Sequence, residues 1–184
     1  MRPGIGERRW GNGDQGLGIR KRIAMLAVSI ILATGCGNSD ERAIEKQMAT
    51  IAEALTVPPG DGELGRFGRI ATLRRTLAAE IQLSTGVAPR PGAEIPSDVS
   101  GRDAVLALAG RWVPPSGGVT VEFVDVQVTV ADGGTSAQVY CTAKVTSGTA
   151  DTPLVDAREL TIALAKVDDD WLVTSVRPED TLAR

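Results

Sequence analysis

The chain contains no histidine. Histidine is the commonest general base in enzymes, a usual zinc ligand and the central member of serine and cysteine catalytic triads. Its absence excludes those triads and every histidine-containing metal site. Aromatic residues are also scarce, at 3% of 184 residues, and Tyr140 is the single tyrosine. Any acid–base chemistry in this chain therefore has to rest mainly on carboxylates.

Cysteine is rare as well, with only Cys36 and Cys141 in the chain. We expect no disulfide framework, because such a framework needs several paired cysteines and Cys36 has a different predicted role, given below. Cys141 alternates with apolar residues in a predicted strand, which indicates a small buried hydrophobic side chain. A reactive thiol is the alternative, although the chain has no histidine that would activate it.

One strongly apolar segment is present, and it is short. The basic cluster Arg20–Arg22 precedes an 11-residue apolar run, residues 23–33, and small residues then lead to Cys36. A basic cluster, a short apolar run and small residues at its exit are the parts of a secretory signal. The run is shorter than the roughly 20 residues of a membrane-spanning helix. We therefore predict that residues 1–35 are a signal peptide with a long basic leader.

The end of this segment, Leu32-Ala33-Thr34-Gly35-Cys36, resembles the lipobox of bacterial lipoproteins. The resemblance implies cleavage between Gly35 and Cys36, a diacylglyceryl group on the Cys36 sulfur and acylation of the new amino terminus. More than one acyl chain gives stable membrane anchoring. In such lipoproteins Gly37 is compatible with the periplasmic side of an outer membrane, in a cell with two membranes. The alternative is an ordinary cleaved signal or an uncleaved anchor.

The charge of the chain is unevenly distributed. Residues 1–35 contain six basic and two acidic residues, whereas residues 36–184 contain 14 basic and 21 acidic residues, a net charge of −7. Binding to phosphates requires clustered positive charge. We therefore expect no nucleic-acid partner, and we expect the membrane contact to come through the lipid anchor.

After a short tether over residues 36–41, we predict one domain over residues 42–184. Apolar residues at helical spacing, with Leu64 and Phe67 among them, predict three helices at about residues 42–56, 63–79 and 101–112. A short strand is predicted near Glu80, and residues 84–99 are rich in proline and are predicted to be a loop. Alternating apolar residues predict four further strands, at about residues 119–130, 136–146, 157–167 and 171–177.

These four strands follow one another with short connections, which indicates an antiparallel meander. The alternation changes phase between Phe123 and Val124, as a β-bulge would cause. The predicted fold is α+β, with three helices on a curved antiparallel sheet in the order α-α-β-α-β-β-β-β. Tyr140 lies on the face opposite the apolar residues, together with Gln138, Thr142 and Lys144.

This order and two motifs resemble the NTF2-like superfamily, including its SnoaL-like and ketosteroid-isomerase-like branches. The first motif is Ser100-Gly101-Arg102-Asp103-Ala104-Val105, which is similar to the family's entry into the third helix. The second runs from Arg158-Glu159-Leu160-Thr161-Ile162 to Lys166-Val167-Asp168-Asp169-Asp170-Trp171-Leu172-Val173, and is similar to the family's closing hairpin. The resemblance implies a cone whose pocket holds a small molecule, catalyses a reaction or is filled by side chains.

The resemblance also suggests where functional residues lie. Glu80 stands near the helix-to-strand junction where pocket acids sit in this family, so it is the candidate pocket acid; a solvated glutamate is the alternative. Many members dimerise through the outer sheet face, which gives a possible homodimer here. The single Tyr140 is placed away from the pocket, so a tyrosine oxyanion hole is not expected.

Asp168-Asp169-Asp170 invites a metal-site interpretation, but these residues lack the alternating acids and the glycine of a calcium loop. We predict a hairpin turn there, and we expect no metal, no cofactor and no catalytic set. The leading hypothesis is a lipid-anchored, non-catalytic bacterial envelope protein that binds a small apolar ligand or a protein partner. One alternative is an isomerase or cyclase with a buried carboxylate, and another is a structural or assembly factor that acts through the outer sheet face.

Overall fold

The computed structural model describes residues 37–86, 96–149 and 151–179. The predicted signal, Gly35 and Cys36 lie outside the described residues, so cleavage and lipidation stay predictions. Within the described ranges the chain forms three helices and one six-stranded sheet. No helix in these ranges combines the length and the apolar character needed to span a membrane.

The three helices are α1 (Gly37–Leu55), α2 (Glu63–Thr76) and α3 (Arg102–Arg111). Helix α1 begins at Gly37, so residues 37–41 of the predicted tether are helical. Helix α2 ends three residues before the predicted position 79, because the chain becomes extended at Leu77, with φ −104° and ψ 138°. Leu77 is buried against the helices and the sheet, so tertiary packing overrides the helix propensity of the alanines that follow.

The six strands are β1 (Leu77–Ser84), β2 (Asp98–Ser100), β3 (Val119–Val130), β4 (Ser136–Thr149), β5 (Thr152–Val167) and β6 (Asp170–Pro178). Their order in the sheet is β2-β1-β6-β5-β4-β3. The meander of β3 to β6 is antiparallel as predicted. Strand β1, however, pairs with β6 in parallel, so the sheet is mixed rather than purely antiparallel.

Two further differences concern the predicted loops. Strand β2 pairs with the end of β1 and lies at the C-terminal end of the predicted loop 84–99. Strands β4 and β5 pair as far as Thr149 and Thr152, beyond the predicted end of β4 at residue 146 and before the predicted start of β5 at residue 157. The β4–β5 hairpin is therefore longer than the alternation of apolar residues indicated.

The predicted β-bulge in β3 is confirmed. Val124 pairs with Thr142, and the next pair joins Gln127 to Tyr140, so β3 carries one extra residue. Asp125 lies there with a φ of 54°. Bulges of this kind bend and twist a strand, and the inward-facing side chains change from odd-numbered to even-numbered positions at this point.

The core lies between the helices and one face of the sheet. It is apolar, and Thr76 is the single buried polar residue among the described ranges. Phe67 is 69% exposed and Leu64 is 88% exposed, so these two members of the predicted α2 stripe do not belong to the core. The buried cluster comprises Ile44, Met48, Ile51, Ala54, Leu73, Leu77, Ile81, Leu106, Ala137, Val139, Cys141, Ile162, Leu164, Trp171 and Val173.

Candidate functional site

Glu80, the candidate pocket acid, is exposed on β1. It lies where the pairing of β1 with β6 is interrupted, and the next residue, Ile81, is buried in the core. The exposure agrees with the alternative of a solvated glutamate. The buried set of the described residues contains no carboxylate. The hypothesis of an enzyme with a buried carboxylate therefore finds no such acid in the part of the chain that the structure describes.

Cys141 is buried, as predicted, at 5% exposure in the middle of β4. Burial raises the pKa of its thiol to about 11, because an apolar environment disfavours the charged thiolate. The thiolate is the reactive form of cysteine. Cys141 is therefore a packing residue, and this agrees with the prediction made from strand alternation.

Asp168 and Asp169 form the predicted hairpin turn between β5 and β6. Both have positive φ angles, 49° and 70°, as the central residues of a type I′ turn do. Among the described residues no group of three or more cysteine, aspartate or glutamate side chains is arranged to hold a metal ion.

The outer face of the sheet carries the side chains that alternation placed there. Tyr140 is 45% exposed, and its hydroxyl donates a hydrogen bond of 3.3 Å to Oε1 of Gln138. Lys144 pairs with Glu122 of the neighbouring strand at 3.2 Å. This face is a polar surface with a few exposed apolar groups, such as Val124 at 38% exposure.

A groove lies between α1 and the edge strand β3, with a volume of about 390 Å³. We name it the α1–β3 groove. On the helix it is lined by side chains at positions 45, 48, 49 and 52, which share one side of α1 because a helix repeats every 3.6 residues. Its lining residues are Glu45, Met48, Ala49, Ala52, Val121, Glu122, Phe123 and Val126.

Small residues and the bulge leave this space open. Ala49 and Ala52 present only methyl groups toward β3, whereas the neighbouring Met48 and Ile51 are buried in the core. The bulge at Asp125 separates Phe123 from Val126, both of which line the groove. A longer side chain at position 49 or 52 would fill the space.

The residues that follow α1 pair with the first part of the free edge of β3. Val57 exchanges two backbone hydrogen bonds with Val119, of 2.7 and 2.8 Å. The amide of Val121 donates a 3.0 Å hydrogen bond to Thr56 Oγ1. The edge strand is thus already paired as far as Val121, which also lines the groove.

Of the two glutamates that line the α1–β3 groove, only Glu45 lies on the helix side, because the side chain of Glu122 is on the outer face of the sheet. Glu45 is exposed and makes no hydrogen bond or ion pair with the residues that the structure describes. Glu122 uses Oε2 to accept the hydrogen bond of Lys144. The other lining residues are apolar, so the groove combines a hydrophobic surface with the negative charge of Glu45.

A smaller groove of about 260 Å³ separates α2 from α3. Arg66 and the exposed Phe67 flank it, and Leu106 lies on the opposite side. Neither groove was predicted from the sequence. Each joins side chains that are distant in the sequence, and the spacing of Glu45, Ala49 and Ala52 on one helical face was the only local indication.

Solved structures show which fold this is. The model superposes on an NTF2-like protein with a cystatin-like fold from Novosphingobium aromaticivorans with a TM-score of 0.55, at 16% identity over 94% of this chain and 95% of that chain. A protein of unknown function from Mycobacterium tuberculosis gives a TM-score of 0.56 at 16% identity, covering 77% and 76% of the two chains. The chain has the NTF2-like fold.

A candidate dehydratase of the NTF2-like family from Streptomyces avermitilis also shares the fold, with a TM-score of 0.55 and 19% identity over 80% of this chain and 99% of that chain. No protein-family model and no curated protein matches the chain in sequence. At these identities the likeness establishes the fold alone. The function of this chain has to be argued from its own residues.

Proposed function

We propose that the protein is a lipid-anchored envelope protein whose NTF2-like domain binds a small ligand in the α1–β3 groove without transforming it. The groove itself carries this proposal. Ligand sites in proteins are concave, mostly apolar and have a few placed polar groups, with volumes of roughly 300–1,000 Å³. The α1–β3 groove has a mostly apolar lining, the carboxylate of Glu45 on its helix side and a volume of about 390 Å³.

The proposed anchor rests on the segment that ends at Cys36. Its basic cluster, short apolar run and lipobox-like end are the parts of a lipoprotein signal. Helix α1 begins at Gly37, directly after this cysteine. A lipidated Cys36 would thus place the domain next to the bilayer surface, without the predicted spacer.

The proposal of binding without catalysis follows from the positions of the acidic groups. General acid–base catalysis works best when burial or neighbouring charges bring a pKa close to the working pH. Glu45 and Glu122, the carboxylates of the groove, are both exposed to water. Exposed carboxylates at a rim are suited to attract a ligand, and they lack the burial that tunes an acid or base.

An isomerase- or dehydratase-type activity is the second candidate, because the chain shares its fold with a candidate dehydratase. Glu80 is the acid that this hypothesis uses. Two results together would favour the enzyme hypothesis over the hypothesis of binding alone. A substrate should shift the NMR signals around Glu80, and its turnover should be abolished in Glu80→Gln.

Assembly through the outer sheet face is favoured by the exposed Tyr140 and Val124. We expect sedimentation of the purified protein to show a dimer if this face is an interface, and Tyr140→Glu to convert that dimer to a monomer. A protein that is monomeric at all accessible concentrations would exclude the homodimer and leave the ligand-binding proposal standing.

The lipid anchor is tested by labelling cells with a fatty acid analogue. We expect the original protein to be labelled and Cys36→Ala to lose the label. Equal labelling of both proteins would contradict the anchor.

Ligand binding is tested by NMR of the full chain with a library of small fragments. We expect binding fragments to shift the amide signals of Ala49 and Ala52 and to leave Ala107, exposed on α3, unchanged. Ala49→Leu should remove these shifts, whereas the control Ala107→Leu should retain them. Shifts that survive Ala49→Leu would place the ligand elsewhere.

A further inference from the structure

We propose that the ligand of the α1–β3 groove is a small organic cation with an apolar body, of the alkylammonium class. This inference rests on the proposed function and adds the chemistry of the ligand. It uses two properties of the groove that lie side by side, its apolar lining and the carboxylate of Glu45.

The negative charge at the groove is only partly compensated. Lys144 reaches Glu122 at 3.2 Å, and its side chain is 44% exposed. This pair lies on the outer face of the sheet, so Glu122 adds to the negative charge near the groove without facing it. Glu45 has no partner among the described residues, and the body of the chain after Gly35 carries a net charge of −7. Both the local and the overall charge favour a cation and oppose an anion.

The apolar residues that line the groove are the reason for proposing a ligand with an apolar body. Phe123 is half-buried and lines the groove together with Met48. Each methylene group that leaves water for such a surface strengthens binding by about fourfold. The ring of Phe123 also offers a face that attracts cations within about 6 Å. A hexyl chain with a terminal ammonium group combines both features and fits within the volume of the groove.

A small molecule is favoured over a peptide strand. An extended peptide would add to the free edge of β3 by backbone hydrogen bonds. Val57 already pairs with Val119, and Thr56 already accepts the amide hydrogen of Val121. The edge is therefore occupied by the chain itself as far as Val121, which shortens the stretch open to a peptide strand, and the groove has a volume of small-molecule size.

The test is a calorimetric titration of the purified full chain in detergent with three probes of equal length. The probes are hexylammonium, hexanol and hexanoate, and titrations into detergent alone are subtracted. We expect hexylammonium to bind about tenfold more tightly than hexanol, and hexanoate to bind more weakly than hexanol. Equal binding of the three probes would overturn the inference.

Three variants locate the effect. Glu45→Gln should weaken hexylammonium binding by about fivefold while leaving hexanol binding unchanged. Glu53→Gln removes an exposed charge from the same helix outside the groove and should leave both unchanged. Ala49→Leu should abolish binding of both probes, because it fills the groove.

The outcomes separate this inference from the proposed function. If hexanol and hexanoate bind as well as hexylammonium and Ala49→Leu abolishes all three, the groove binds ligands but not through charge, and only the present inference fails. If Glu45→Gln and Glu53→Gln have the same effect, the carboxylate at the rim has no specific role, and the inference fails again. If Ala49→Leu changes nothing, the groove is not the binding site and both proposals fail.

Discussion

Lys166 donates a hydrogen bond of 2.8 Å to Asp40, although 126 positions separate the two residues in the chain. The indole Nε1 of Trp171 donates to the same carboxylate oxygen at 3.3 Å, and the Lys166 ammonium lies 5.7 Å from the centre of the Trp171 ring. The carboxylate belongs to the first turn of α1, whereas the two donors belong to β5 and β6. These contacts hold the start of α1 on the sheet and thereby set the position of the groove further along the helix.

We predict that the contribution of this contact to stability depends on pH. The Lys166 hydrogen bond lowers the pKa of Asp40 below its ordinary value of 3.8, and the Asp40 hydrogen bond raises the pKa of Lys166 above its ordinary value of 10.5. A carboxyl group whose pKa is lowered on folding stabilises the folded state at pH values above its pKa in the unfolded chain. This stabilisation is lost as the pH falls through the pKa of the group in the folded protein. A lysine whose pKa is raised on folding stabilises the folded state at pH values below its pKa in the unfolded chain. This stabilisation is lost as the pH rises through the pKa of the lysine in the folded protein.

Asp40→Asn should therefore be less stable than the original protein at neutral pH, and the difference should shrink as the pH falls below 3.8. Urea unfolding followed by fluorescence, repeated across this range, measures the difference. Glu41→Gln, which removes the neighbouring acid, is the matched control and should show no such pH dependence. The assigned role would be contradicted if the difference in the free energy of unfolding between Asp40→Asn and the original protein stayed constant down to about pH 2.

Cys141 should be unreactive in the folded protein. A thiol pKa of about 11, compared with an ordinary value of 9.0, reduces the thiolate fraction at pH 8 by about a hundredfold. In Cys36→Ala, Cys141 is the only cysteine left. We expect no thiol to react with a disulfide reagent in the native state, and one thiol to react after unfolding in guanidinium. Rapid reaction of the folded protein would show that Cys141 is accessible.

Two glycines should respond to alanine in opposite directions. Gly118 has a φ of 80°, and a Cβ there would lie 2.5 Å from the carbonyl oxygen of Val57. We expect Gly118→Ala to cost about 1–3 kcal/mol or more, because the backbone conformation is unfavourable for alanine and the contact is too close. Gly68 lies within α2 with free space around it, so Gly68→Ala should gain about 0.5–1 kcal/mol.

Denaturant unfolding of both glycine variants measures these changes. The comparison tests the junction between Val57 and β3, which closes one end of the groove. A Gly118→Ala protein as stable as the original would show that this junction is not closed as the structure has it.

Strand alternation was sufficient to predict that β3 to β6 are strands, although β4 and β5 extend further into their hairpin than the pattern indicated. Val139 and Cys141 face the core while Tyr140 faces outward, because successive side chains of a strand alternate between the two faces. The bulge was predictable for the same reason, since one extra residue exchanges the faces. The extra residue lies at Asp125, just beyond the predicted position between Phe123 and Val124.

The parallel pairing of β1 with β6 was not predictable from local patterns. Leu77 pairs with Val173, nearly one hundred positions away, and the pattern near Glu80 does not specify a partner strand. Strand β2 is only three residues long and follows a proline-rich segment, so it has too few residues to show alternation. Both features depend on long-range contacts.

The α1–β3 groove was not predictable from the sequence for a related reason. Glu45, Ala49 and Ala52 mark one side of a helix, but nothing in their spacing tells which strand that side contacts. Phe123 and Val126 complete the groove from β3, about 75 positions further along the chain. The resemblance to the NTF2-like superfamily predicted the fold, whereas the groove depends on side chains particular to this sequence.

The most direct test of the groove is a structure of the protein determined with bound hexylammonium. The account predicts ligand density between α1 and β3, with the ammonium group within about 4 Å of the carboxylate of Glu45 and the hexyl chain against Phe123. Density in the groove between α2 and α3, or a ligand whose ammonium group points away from Glu45, would contradict it.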